Sequence, residues 1–181
     1  GYSGSIVSMS NLISTVGVVG SDVTGVGTAR YDLAACEFGG DKGIFAYGSA
    51  GAMSNLVSNS GVIATDVSGV GTARESPAAC SYGGDKGIFG YGAGPVSMTN
   101  LVNNSGVVGS DVTGVGTARR LLGACEYDDD KAIFAYGDTG SVSSLSNLVS
   151  NAGVVATDVT GVGTARKQLA ACTYGYDKGI F

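Results

Sequence analysis

Apolar positions come in short clusters with an alternating component along this chain, and each cluster ends in glycine-rich turn chemistry. Over residues 30–67 the pattern reads as four strands. Leu33-Ala34-Ala35-Cys36-Glu37-Phe38 is short and apolar, and Gly39-Gly40-Asp41-Lys42 follows it as a hairpin turn. Gly43-Ile44-Phe45-Ala46-Tyr47 is aromatic and β-branched and gives the second strand, closed by Gly48 and small residues up to Met53. A third strand is expected over 54–58. Asn59-Ser60-Gly61 supplies the next turn, because Asn and Gly tolerate positive φ, and Val62-Ile63-Ala64-Thr65 gives a fourth strand. These positions are called A to D below. Helices compete poorly, since each interior Gly costs about 1 kcal/mol relative to Ala.

The unit recurs four times. The hexapeptide Gly-Val-Gly-Thr-Ala-Arg ends at Arg30, Arg74, Arg119 and Arg166, in steps of 44, 45 and 47 residues. Periods of this size mark propeller blades or other repeat arrays. Residues 1–181 are therefore read as one all-β repeat domain, a four-bladed β-propeller of four-stranded antiparallel blades. A parallel β-solenoid is the alternative, but hairpin turns after A and C suit antiparallel sheets better. The motif Ile-Phe-(Ala/Gly)-Tyr is whole in three copies, whereas the fourth stops at Phe181 and the chain opens with Gly1-Tyr2. The fourth blade is accordingly expected to be composite, with A and B from 168–181 and C and D from 1–22. Pairing of the two termini would then close the ring. Ala35, Ala79, Ala124 and Ala171 suit the crowded inner strands of so tight a circle. Two chains joining as an eight-bladed ring is the rival arrangement. The break inside strand B also points to a polypeptide that extends past one or both ends, or to a neighbouring subunit that continues the strand. The start at Gly1 rather than Met points to processing or truncation.

Arg30-x-x-Leu33-Ala34-Ala35-Cys36-x-Phe38-Gly39-Gly40, followed by Gly43-Ile44-Phe45-Ala46-Tyr47-Gly48, resembles a kelch repeat, in which an Arg precedes the inner strand and an Ile-Tyr-x-x-Gly-Gly strand follows. The pattern recurs in all four copies. It departs from kelch in having one glycine after the second strand, at Gly48, Gly92 and Gly137, and in having no Trp. The composition, rich in Gly, Ser, Thr and Val, is similar to kelch-like repeats of viral tail or fibre proteins and bacterial surface proteins. That resemblance implies a propeller at an extracellular or virion surface.

Composition narrows the partners. An apolar fraction of 44% argues against disorder, and 32 glycines against two prolines must be serving turns. A net charge of −5 with ten Lys and Arg leaves no basic footprint for nucleic acid. No apolar run approaches the roughly 20 residues of a membrane-spanning helix.

Candidate chemistry is sparse. Cys36, Cys80, Cys125 and Cys172 fall at one inner-strand position per repeat. That placement suits small core residues, with an axial thiolate metal site or disulfides as alternatives. Arg30, Arg74, Arg119 and Arg166 are read as a possible axial ring at one mouth that could hold an anion, or as partners of Asp22, Asp66, Asp111 or Asp158. The Asp-Lys pairs beginning at Asp41, Asp85, Asp130 and Asp177 read as solvated hairpin tips, and Asp128-Asp129-Asp130 lacks the spaced oxygens of a calcium loop. Asn103-Asn104-Ser105 is a lone glycosylation sequon. There is no His, no Gly-x-Ser-x-Gly elbow and no P-loop. The expectation is a non-enzymatic structural or adhesive module of a fibre, virion or cell surface, without metal or cofactor. It would assemble with itself or other structural proteins, with Gly1, Tyr2 and Phe181 at the contact. The alternative is a lectin-like module holding a glycan on Gly92-Ala93-Gly94-Pro95 and Asp138-Thr139-Gly140-Ser141, the loops where the repeats differ.

Overall fold

Turn chemistry places the strands. The computed structural model describes all of residues 1–181, with eleven strands and no helix. Strands β1 (Ala34–Phe38), β2 (Lys42–Ala46) and β3 (Ser54–Val57) form one antiparallel sheet. Strands β4 (Ala78–Tyr82), β5 (Lys86–Gly92) and β6 (Val96–Val102) form the second, and β7 (Gly123–Tyr127), β8 (Lys131–Ala135) and β9 (Ser146–Val149) the third. The last pair, β10 (Cys172–Tyr174) and β11 (Lys178–Ile180), stands as a two-stranded sheet. Gly39 and Gly40, at φ 62° and 76°, make the tight turn that sets Cys36 opposite Ile44.

The expected fourth strand is present as an edge that bridges C at two points. In the first blade Val57 bridges Ile63 and Ser54 bridges Val67, so three residues of D oppose two of C. The same one-residue bulge recurs between Val102/Val108 and Thr99/Val112, and between Val149/Val155 and Ser146/Val159. A side chain explains why the ladder is interrupted: Asn55 Nδ2 donates to the Ala64 carbonyl at 3.1 Å, in place of a second backbone partner.

Blades stack through their inner strands, with β1 against β4, β4 against β7 and β7 against β10. The buried apolar clusters lie between blades. One joins Phe38, Ile44 and Tyr47 of the first blade to Phe89 and Val102 of the second, and the other joins Ile88 and Tyr91 to Phe134 and Val149. Edge-to-face rings mark each junction: Tyr47 on Phe89 at 5.4 Å, Tyr91 on Phe134 at 5.2 Å and Tyr136 on Phe181 at 5.7 Å. Such pairs contribute about 0.5–1.5 kcal/mol beyond their burial. Stability of this kind is a series of nearest-neighbour terms.

The expected closure of a four-bladed ring is not what forms. Residues 10–23 make a C–D hairpin of their own through the Ser10/Val23 and Ile13/Val19 bridges, and this hairpin lies on blade one, with Leu12 against Gly61. The β10–β11 pair lies on blade three. No hydrogen bond or bridge joins 1–23 to 168–181, so the composite blade of the two termini is absent. The molecule is an open arc of three full blades flanked by two complementary halves of a fourth. Each blade is fixed only by its neighbours, so nothing in the contacts of one junction brings the two terminal segments together.

Candidate functional site

Between consecutive blades the hexapeptide closes a polar clasp. Thr72 donates from its backbone N to Asp111 Oδ2 at 3.0 Å and from Oγ1 at 2.7 Å. Arg74 Nη2 reaches Asn100 Oδ1 at 2.7 Å, and Asn100 Nδ2 passes the network on to Asp111 Oδ1 at 2.9 Å. Gly71 explains the glycine of the motif: at φ 76° a Cβ there would stand 2.6 Å from the Asn100 amide nitrogen and closer still to Asp111. The arrangement repeats with Thr28, Arg30, Asn55 and Asp66, and with Thr117, Arg119, Asn147 and Asp158. Each clasping arginine also stacks on a tyrosine where the chain provides one, Arg74 on Tyr47 at 4.1 Å, Arg119 on Tyr91 at 4.7 Å and Arg166 on Tyr136 at 3.8 Å.

Burial shapes the charges. It lowers the Arg30 and Arg74 pKa values against the opposing pull of Asp66 and of Tyr47 and Asp111, and it pushes Tyr91 up to about 12. The Thr28 and Asn55 hydrogen bonds hold the Asp66 carboxyl below the ordinary carboxylate range. At Asp111 and Asp158 burial pushes upward, but the amide and hydroxyl donors outweigh it and the net shift is down.

Three of the four arginines expected as an axial ring are taken into the blades, and Arg166 is half-buried at the end of the array. Arg30, Arg74 and Arg119 are buried within the blades with their Nη donors directed at Asn, Asp and backbone carbonyls, while Nε of Arg30 and of Arg119 is buried without a partner. Pairing with the repeat acids is direct for Arg30 with Asp66 at 3.7 Å and for Arg119 with Asp158 at 3.4 Å. Asp22 has no arginine. The asparagines Asn11, Asn55, Asn100 and Asn147 escaped the sequence reading, although each stands in a recurring Ser/Thr-Asn-Leu triplet at the C position of its repeat.

The fourth clasp is divided between the two ends. At one end Asn11 Nδ2 donates to Asp22 Oδ1 at 2.9 Å and to the Gly20 carbonyl at 3.1 Å, reproducing the Asn–Asp pair without its threonine and arginine. At the other, Arg166 bonds only the Thr164 and Phe181 carbonyls. Tyr2 is displaced as well. Tyr47, Tyr91 and Tyr136 sit at φ 66°, 61° and 64° beneath an arginine, but Tyr2 is outside that region and 72% exposed. A cavity of about 510 Å³ lies beside it, with Arg30, Phe45 and Asn55 in its wall.

The remaining candidates resolve into structure. Cys36, Cys80 and Cys125 pack along the inner strands, and burial raises their thiol pKa values, Cys36 to about 12 and Cys125 to about 11. Cys172, on the terminal sheet, is exposed. The hairpin-tip aspartates are not purely solvated: Asp41 accepts from Asn59 at 2.9 Å and Asp85 from Asn104 at 3.2 Å. Asp128 pairs with Lys131 while Asp130 accepts from Asn151, so those carboxylates turn to different partners. Asp138, in a loop offered for glycan binding, is buried and held by Lys167, Arg120 and the Gly140 amide.

No family model matches the sequence, and no curated protein does. Among similar solved structures is that of a catalytically inactive variant of virginiamycin B lyase from Staphylococcus aureus with quinupristin, at 13% identity and a TM-score of 0.62. That structure is a seven-bladed propeller. The fold here is propeller-like. The likeness covers 93% of this chain and 54% of that one, so the chain spans about half the length of the structure it matches. The seven-bladed neighbour also carries a correction. Because it is a lyase, the expectation that this chain is not an enzyme is overturned as an inference from fold, and identity at this level shows the fold alone.

Proposed function

We propose that the chain is a structural or adhesive propeller module, with kelch-like repeats, that assembles through its ends with itself or other proteins. The setting we propose is a fibre, virion or cell surface. One observation supports the reading: the two end segments expose apolar side chains whose counterparts in the interior blades are largely covered. At the first end Ile13 is exposed where Val102 and Val149 are buried, and at the second Tyr174 and Ile180 are exposed where Phe38 and Tyr82, and Ile44 and Ile88, are buried. The β11 edge is a strand with its outer side unpaired, and such edges template pairing with another chain. The glycan reading loses Asp138 from one of its two loops, because that carboxylate is taken up internally. Sedimentation over a wide concentration range tests the proposal. Association is expected, and a chain that stays monomeric throughout, alone and against immobilised surfaces, would overturn it.

A further inference from the structure

The repeats are close to identical in the hexapeptide, in the Ser/Thr-Asn-Leu triplet and in the Lys-Gly/Ala-Ile-Phe run, and they differ most in two segments. The residues after the arginine read Tyr31-Asp32, Glu75-Ser76, Arg120-Leu121 and Lys167-Gln168, and the loop from strand B to the triplet changes in length over 49–53, 93–98 and 138–145. The fold brings these two segments together on one face. Ser49 N donates to the Tyr31 carbonyl at 3.0 Å, Ala93 N to that of Glu75 at 2.7 Å and Asp138 N to that of Arg120 at 2.9 Å. Successive corners are joined in turn, Ser76 N to the Asp32 carbonyl at 2.8 Å and Gln168 N to that of Leu121 at 2.9 Å. A fixed scaffold thus presents its varied residues side by side, the arrangement on which binding residues concentrate.

Only blade three places a carboxylate beneath cations on this face. Asp138 is buried, yet its Oδ2 accepts from Lys167 Nζ at 3.1 Å and from Arg120 Nη2 and Nε at 3.3 and 3.4 Å, while Oδ1 accepts from the Gly140 amide at 3.0 Å. Both cations keep an outward side. The Arg120 side chain is 45% exposed and that of Lys167 39%, and neither pairs with another carboxylate. Blades one and two make the same loop-to-corner hydrogen bond with Ser49 and Ala93 and hold no ion pair there, so folding does not require one. One buried carboxylate under two cations leaves a local excess of positive charge on a chain of net charge −5.

We infer that Arg120 and Lys167 bind the carboxylate of an acidic saccharide on this face, with Asp138 as the positioning residue beneath them. Both cations meet one Asp138 oxygen, which holds them close enough for a single ligand carboxylate to take a donor from each. Arg120 keeps Nη1 for that ligand and Lys167 its further N–H groups. Asp138 fixes both side chains before the ligand arrives, which spares the cost of ordering two long, flexible groups. The rim favours a sugar as the carrier of the carboxylate. Thr139, Ser141 and Gln168 are exposed beside the ion pair and offer hydroxyl and amide groups to a polyhydroxylated ring. Every contact that fixes the site lies within residues 120–168. The inference goes beyond assembly through the ends and gives an adhesive surface its ligand class.

Titration calorimetry of the full chain with trigalacturonate at low salt, set against neutral maltotriose, tests this. The uronate is expected to bind and the neutral sugar not. Arg120→Gln and Lys167→Gln should each weaken binding about tenfold, as the loss of a charge-assisted hydrogen bond implies. Their thermal midpoints should stay near that of the wild type, because blades one and two fold without these cations. Asp138→Asn separates a positioned pair from general attraction. It makes the face more positive but releases both side chains, so binding should fall here as well. Tighter binding by Asp138→Asn, unchanged binding by either cation variant, or a wild-type chain that ignores the uronate would each overturn the inference. Hexaglutamate bound as tightly as the uronate would overturn the assignment to a saccharide. Sedimentation decides the assembly reading separately, so failure of one leaves the other standing.

Discussion

Asp111 accepts hydrogen bonds from Thr72 and Asn100 in a part-buried setting, whereas Asp22 shares only Asn11 at an exposed edge. Hydrogen bonds to a charged group contribute about 1.5–3 kcal/mol, and unpaired buried donors cost their desolvation. Asp111→Ala should therefore lower stability by about 2–3 kcal/mol, while Asp22→Ala, measured in dilute monomer, should change it by less than about 0.5 kcal/mol. Urea unfolding of both variants decides this, and equal losses would mean the clasp is not what distinguishes the two sites. Acid sensitivity belongs to the same carboxylates. Asp66, Asp111 and Asp158 have folded pKa values below the ordinary one, which is about 3.9 in an unfolded chain. Their contribution is present above that unfolded value and is lost as pH falls through the folded one. The thermal midpoint should thus hold from pH 7 to about 5 and drop below about 4, with a shallower acid slope in Asp158→Asn. An unchanged slope would remove Asp158 from the account.

At the level of the element, strands A and B were readable because glycine pairs such as Gly39-Gly40 and the Ile-Phe-Ala-Tyr run are local signals with local consequences. Strand D was harder, since its ladder is interrupted by the Asn55 side chain, and nothing in Val62-Ile63-Ala64-Thr65 announces a bulge. Arg30 illustrates the limit at the site. Its pairing with Asp66 was one option in the sequence, but its burial depends on Phe45 and Asn55 of strands 15 and 25 residues away, which no local pattern brings to it. The free C–D hairpin should be dispensable for folding. Deleting residues 1–23 removes the Leu12 contact and the Asn11–Asp22 pair but leaves every clasp of the three full blades intact. Circular dichroism of the truncated chain should retain the β signal per residue, with the thermal midpoint lowered by a few degrees and pairing between copies lost. Collapse of the remaining blades would show that the hairpin stabilises the whole array.

The whole molecule has no single centre. Its apolar clusters straddle neighbouring blades, and the clasps tie each entry segment to the outer strands of the blade it enters. The ring expected from the repeat count failed at this scale because sequence reports how many blades there are and not the angle between them. The same serial construction sets how the chain bears a load. Pulled from residues 1 and 181, it cannot share tension among all its blades at once, because each polar clasp must be opened before the strands behind it can extend. The array should yield one blade at a time, each release freeing a repeat of about 45 residues, or roughly 150 Å of extended chain. A force–extension trace should show a sawtooth of near-equal spacing, and a single cooperative rip would contradict it. A chain built this way would lengthen under stress in measured increments.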